Sequence, residues 1–158
     1  MTISKQIERE LNQLNVDAGN AHLSVDLGVG RLSCNFTKLD SIACSFETLS
    51  LSTDKLAGSS VEHLQKISEA LSSRLSYLLE PISPIETDAD GCTIQMRSNP
   101  PHKDDNGTSY YELLVRRGGE LSLSRYVAQL GSQRQSVAAD VTREVLCRLA
   151  TDFVAVIE

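Results

Sequence analysis

The sequence predicts an α+β fold: an antiparallel sheet of about six strands with helices on one face. Three observations predict it. Short segments alternate apolar and polar side chains with period two. Longer segments space their apolar residues three and four apart. The tetrapeptide Leu-Ser-Leu-Ser stands at 49–52 and again at 121–124, each time after two strand-like runs and before an amphipathic stretch. The order βββα, twice, behind an extra N-terminal helix reads as a single domain over 1–158, with a possible pseudo-repeat of 21–80 and 85–158.

The first helix is expected from about Ser4 to Asn15. Ile3, Ile7, Leu11 and Leu14 make one narrow apolar stripe, Thr2 is its N-cap, and Asp17-Ala18-Gly19-Asn20 stops it. The first strand points Leu23, Val25 and Leu27 inward, and Gly28-Val29-Gly30 turns the chain. Leu32, Cys34 and Phe36 face inward from the second strand. The third begins with Ile42, Cys44 and Phe46, then switches phase to Leu49 and Leu51. One extra residue near Glu47 or Thr48 restores the phase, so a β-bulge is expected there.

The second helix carries Val61, Leu64, Ile67, Leu71, Leu75 and Leu78 on one stripe, with Ser59 and Glu62 as a capping box. It ends before Pro81, because a residue preceding proline is pushed out of helical geometry. Pro81 to Pro84 crosses to the second half, where Ile85-Glu86-Thr87 is a possible short strand. Strand four holds Cys92, Ile94 and Met96 in one phase and Thr93, Gln95 and Arg97 in the other. The breaker-rich segment Asn99 to Gly107 reads as an exposed, mobile loop. Strands five (Tyr110 to Arg116) and six (Glu120 to about Val127) are joined by the turn Arg117-Gly118-Gly119. The third helix is expected from Val137, with Ser136 as cap. Val141, Val145, Leu149, Phe153 and Val156 form its stripe, widened by Leu146, Ala150 and Ile157.

Composition narrows the function. The formal net charge is −6, from 7 basic against 10 acidic residues in 1–80 and 8 against 11 beyond, so each half carries −3. Basic residues stand singly apart from Arg116-Arg117, which argues against a nucleic-acid footprint. No apolar run approaches the roughly 20 residues of a membrane span, and the N-terminus lacks an apolar signal region. A cytoplasmic location is the default expectation.

Catalytic and metal patterns are weak. The dinucleotide, P-loop, zincin and nucleophile-elbow motifs do not occur. Gly28-Val29-Gly30-Arg31 leads into a strand, so it reads as a turn. His22, His63 and His102 are isolated from cysteines and carboxylates at ligand spacing. His102 with Asp104 and Asp105 is a conceivable divalent-ion set, but a solvated loop is the simpler reading. Cys147 lies well inside a helix, where a reactive thiolate finds no helix N-terminus. Cys34, Cys44, Cys92 and Cys147 read as small buried hydrophobes, not as a disulfide framework. No cofactor is expected.

The candidate site lies on the outward phase of strands four to six: Arg97, Glu112, Arg116 and Arg125, with Tyr110 and Tyr126. Opposed charges and aromatics at cross-strand positions stabilise a solvated sheet face. Tyrosine and arginine are also favoured where partners bind. The element order α-βββ-α-ββ(β)-α in a small acidic chain is similar to that of type III secretion chaperones. That resemblance implies a homodimer binding an unfolded stretch of a partner protein. The apolar surplus of the third helix points the same way, unless the first helix covers it. The expected function is a non-enzymatic, homodimeric, chaperone-like interaction module. The alternative is a small-ligand or enzymatic domain with its site between the outer sheet face and the 99–107 loop.

Overall fold

The computed structural model describes residues 1–14 and 21–158. Helix α1 spans Ile3–Gln13, and the Thr2 hydroxyl accepts the Lys5 N–H at 3.2 Å. The expected stop at Asp17–Asn20 lies outside the described residues. Strands β1 (Ala21–Asp26), β2 (Arg31–Leu39) and β3 (Ala43–Ser52) form the expected meander. Opposite Cys34 and Phe36 on β2 stand Leu49 and Phe46 on β3, so β3 spends one extra residue at Glu47–Thr48. The bulge stands where the phase switch requires it, and both residues are exposed.

Helix α2 covers Val61–Arg74 and continues as a 3-10 turn, Leu75–Leu78. Its N-cap is Ser60, whose hydroxyl accepts the His63 N–H at 3.1 Å. The cap is therefore one residue later than the Ser59–Glu62 spacing suggests. The second half holds β4 (Ile82–Asp88), β5 (Thr93–Ser98), β6 (His102–Asp104), β7 (Gly107–Arg116), β8 (Glu120–Ala128), β9 (Gln135–Val137), β10 (Ala139–Thr142) and α3 (Arg143–Ile157).

Among the described residues the sheet has ten strands, in the order β1-β2-β3-β8-β7-β5-β4 with β6, β9 and β10 attached beside β7, β8 and β3. This corrects the expectation of about six strands in two βββα halves. The 99–107 segment is not a free loop: β6 pairs with β7 around a tight Asp105–Asn106 turn, and Asn106 N–H donates to Asp104 Oδ1 at 2.8 Å. At the end of β5, the Ser98 hydroxyl accepts the Tyr111 N–H at 2.8 Å. The start of α3 is also later than expected. Val137, Val141 and Val145 are four apart and imitate a helical stripe, but the first two lie in β9 and β10. The cap is Thr142, which accepts the Val145 N–H.

The two Leu-Ser-Leu-Ser segments are paired with each other at the middle of the sheet. Leu49 faces Leu123, Ser50 faces Ser122 and Leu51 faces Leu121. The leucines of this seam are buried beneath the helices. Beyond Thr48 and Ser124 the two strands splay apart. Residues 135–142 fill the fork, running in along β8 and out along β3. All three helices contribute to one continuous core with the inward phase of the strands. Helix α1 lies on α3, with Ile7 and Leu11 fully buried. It therefore supplies the cover that the apolar surplus of α3 requires. No helix among the described residues is long and apolar enough to cross a membrane.

Candidate functional site

Side chains alternate across β7 and β8, so the two faces of this strand pair carry different chemistry. Tyr110, Glu112, Leu114 and Arg116 point outward from β7, while Tyr111, Leu113 and Val115 join the core. On β8 the cross-strand partners follow the same rule. Tyr126 stands opposite Tyr110 on the outer face, and Arg125 stands opposite Tyr111 on the inner one.

The outer cluster is built on Glu112. Its side chain is only 5 % exposed, and its carboxylate accepts from three neighbours. Gln95 Nε2 donates at 3.0 Å from β5, Arg97 Nη2 at 3.4 Å from the same strand, and Arg134 from the turn before β9. Burial opposes ionisation of Glu112, but the hydrogen bonds from Arg134 and Gln95 outweigh it and hold the carboxyl below its ordinary range. The two guanidinium groups lie on aromatic faces. Arg97 is 4.5 Å from the centre of the Tyr110 ring and Arg134 is 3.9 Å from that of Tyr126. The two rings are 6.1 Å apart and tilted by 35°. Cation–π contact and ion pairing thus fix both arginines while leaving their side chains 34 % and 40 % exposed. Arg97 Nε is buried with no hydrogen-bond partner. The cluster carries two positive charges against one negative.

Four of the six sequence-derived residues meet here: Arg97, Tyr110, Glu112 and Tyr126. The other two do not. Arg125 turns to the inner face, lies 4.5 Å over the Tyr111 ring, and forks onto Glu80 at 2.9 and 3.3 Å. It also donates to the Ser109 hydroxyl at 3.1 Å. This is a partly buried strut between β8 and the end of the α2 segment. Arg116 lies at the far end of β7, 3.9 Å from Glu120. Gln95 and Arg134 belong to the site although sequence reasoning did not select them. Gln95 shares the outward phase of Arg97, which was a usable signal. Arg134 sits in a turn whose pairing with β8 depends on the fork, and no local period reports that.

Beside the cluster the outer face is a platform of small polar side chains. Ser24, Ser33, Ser50 and Ser122 stand in one row across β1, β2, β3 and β8. In the next row the Thr48 and Ser124 hydroxyls are 3.0 Å apart.

A hollow of about 640 Å³ lies at the Arg116 end of β7, away from Tyr110, and is framed by the turns at Gly28–Gly30, Thr53–Lys55 and Gly118–Gly119. Thr53 locks these turns together. Its N–H donates to Gly119 C=O at 2.7 Å and its hydroxyl to Val29 C=O at 2.6 Å. Gly119 has φ +108°, and a Cβ there would lie 2.4 Å from the Thr53 carbonyl oxygen. Lys55 and Arg116 in this hollow are matched by Asp54 and Glu120, so it offers no net charge to a ligand.

The cysteines are buried. Burial pushes the Cys44 thiol up to about 12 and the Cys147 thiol to about 11. Protonated, enclosed thiols are poor nucleophiles. Among the described residues no group of three or more His, Cys, Asp or Glu could hold a metal ion. His102 Nε2 is 3.4 Å from Asp104 Oδ2 in the exposed β6. No family model matches the sequence, and no curated protein or solved structure matches it either.

Proposed function

We propose that the chain is a non-enzymatic protein-interaction module whose outer face, over β5, β7 and β8, captures an acidic segment of a partner protein. One observation carries the reading: two arginines held on two tyrosine rings around a single nearly buried carboxylate. The carboxylate consumes one positive charge and leaves one, together with guanidinium N–H groups on the exposed side. An incoming Asp or Glu supplies the missing anion, and its neighbours lie along the sheet beside the partly exposed Tyr126. Arginine and tyrosine together are the residue types that carry binding energy at protein interfaces. The serine platform beside the cluster lets an extended segment approach the sheet without a steric barrier.

In its chaperone-like form this reading includes a homodimer. Since α1 covers α3 within the chain, the sheet edges are the place for such contact.

The chain contains no tryptophan, so a tryptophan placed in a short acidic peptide reports binding by its own fluorescence. The acidic peptide is expected to bind, and its lysine-substituted counterpart is not. The double variant Arg97→Ala/Arg134→Ala is expected to lose the binding, while Arg116→Ala keeps it. Equal affinity of wild type and double variant for the acidic peptide would overturn the reading.

A further inference from the structure

The two edges of the sheet are built differently. The β4 edge is blunted against strand addition in several ways. Pro84 has no N–H to offer, the register slips between Pro84 and Glu86, and Glu86 and Asp88 are exposed on the strand, with Asp90 just beyond it. Proline, bulges and charge are the devices by which natural sheets refuse partners. The β1 edge has none of the first two. Its six residues pair with β2 in unbroken register from Ala21 to Asp26, without proline.

The parity of β1 shows which groups face outward. Leu27 N–H donates to Gly30 C=O across the β1–β2 turn at 2.9 Å. Main-chain groups of Leu27, Val25 and Leu23 therefore point toward β2, and those of His22, Ser24 and Asp26 point away from the sheet. Among the described residues nothing hydrogen-bonds to those outward main-chain groups.

We infer that β1 pairs antiparallel with β1 of a second copy of this chain, with Ser24 opposite Ser24 on the twofold axis. In that register His22 faces Asp26 of the second copy, twice by symmetry, and Leu23 faces its Val25. The three outward N–H groups of each copy meet the three outward C=O groups of the other. A shift by one residue would set the main-chain groups out of step, and a shift by two would separate His22 from Asp26. The side chains are already posed. His22 Nδ1 is 2.6 Å from Asn35 Oδ1, which leaves Nε2 without a hydrogen-bond partner among the described residues. Asp26 Oδ1 accepts the Gly28 N–H at 2.9 Å, which leaves Oδ2. The inference deepens the homodimeric part of the proposed function and draws nothing from the Arg97–Arg134 cluster.

Sedimentation velocity on the full chain, from micromolar to submillimolar concentration, tests it. Wild type is expected to approach twice the chain mass. Ser24→Pro removes an outward N–H at an edge position that tolerates proline, and is expected to stay at one chain mass with an unchanged unfolding transition. His22→Asp alone and Asp26→Lys alone are each expected to be monomeric. An equimolar mixture of the two is expected to recover the dimer, which a folding defect cannot mimic. The native cysteines are buried, so an oxidised Ser24→Cys variant is expected to cross-link to itself, whereas Ser83→Cys on β4 does not. A monomeric wild type overturns the inference, as does a dimer that survives Ser24→Pro or fails to recover on mixing. Acidic-peptide binding by the Ser24→Pro monomer is a separate readout, and its loss or retention judges the outer-face reading alone.

Discussion

Glu112 shows how much one buried charge demands of its surroundings. A carboxylate 5 % exposed on a sheet face is tolerable because Gln95, Arg97 and Arg134 all donate to it. Glu112→Ala is expected to destabilise the fold by about 1–3 kcal/mol, the cost of losing hydrogen bonds to a charged group. The arginines it abandons are partly solvated, which keeps the loss below that of a fully enclosed pair. Its carboxyl titrates below the ordinary 4.5 in the folded state, so its contribution is present above that value. The contribution disappears as pH falls through the lower folded value. Urea unfolding of wild type and Glu112→Gln should therefore differ most near neutrality and converge in acid. The thiols make a second prediction at this scale. Cys34, Cys44, Cys92 and Cys147 are buried, and burial raises Cys34, Cys44 and Cys147 well above a free thiol. A disulfide reagent in mildly alkaline buffer should label none of them in the native protein and all four in denaturant.

At the scale of elements, α2 behaves as its periodicity requires. Leu64 and Leu71 are fully buried, and Leu75 continues the stripe into the 3-10 turn. Leu71→Ala is expected to cost about 2–5 kcal/mol, as large-to-small core substitutions do. Chemical denaturation measures it, and an unchanged midpoint would mean that the stripe is not the core face. The β6–β7 hairpin makes the opposite case. His102–Asp104 are exposed, and the turn is held from outside by one bond from the Gln129 side chain to Asn106 C=O at 3.0 Å. Deleting Lys103–Asn106 should leave a single cooperative unfolding transition, because shortening an exposed connection changes closure entropy only slightly. Boundaries were the least legible part of the elements. Val137 and Val141, each four residues from the next valine toward Val145 of α3, fit an earlier helix start and two short strands equally well. The fork between β3 and β8 decides for strands, because an extended chain there satisfies main-chain groups that the splayed strands leave open.

At the scale of the whole molecule the helical layer is closed from within. Phe153 and Leu149 on α3 are fully buried, and α1 packs across α3. Removing residues 1–14 is expected to expose that stripe. The truncated chain should bind a hydrophobic dye that the full chain ignores, and should unfold at lower temperature. Cover from α1 also explains why an apolar third helix is no evidence for a subunit interface. What leaves this molecule open is its sheet: one polar outer face, one guarded edge at β4 and one regular edge at β1.

The sequence by itself determined the class of each main element and which side of it is apolar, because a period of two or of 3.6 is written in neighbouring residues. It determined the bulge at Glu47–Thr48 through the phase switch from Phe46 to Leu49. It also drew Arg97, Glu112, Arg116 and Arg125, with Tyr110 and Tyr126, to the outer face, of which the fold gathers Arg97, Tyr110, Glu112 and Tyr126 and turns Arg125 inward. Strand order was decided only in the tertiary structure. The two Leu-Ser-Leu-Ser segments look like markers of successive halves in the chain, yet they are each other's partners across 72 residues. The same long-range pairing sets residues 135–142 into the fork and swings Arg134 onto Glu112 and Tyr126. Hydrogen bonds between distant strands and the packing of helices over them choose among partners that local patterns leave equivalent, and the outer site is completed by that choice.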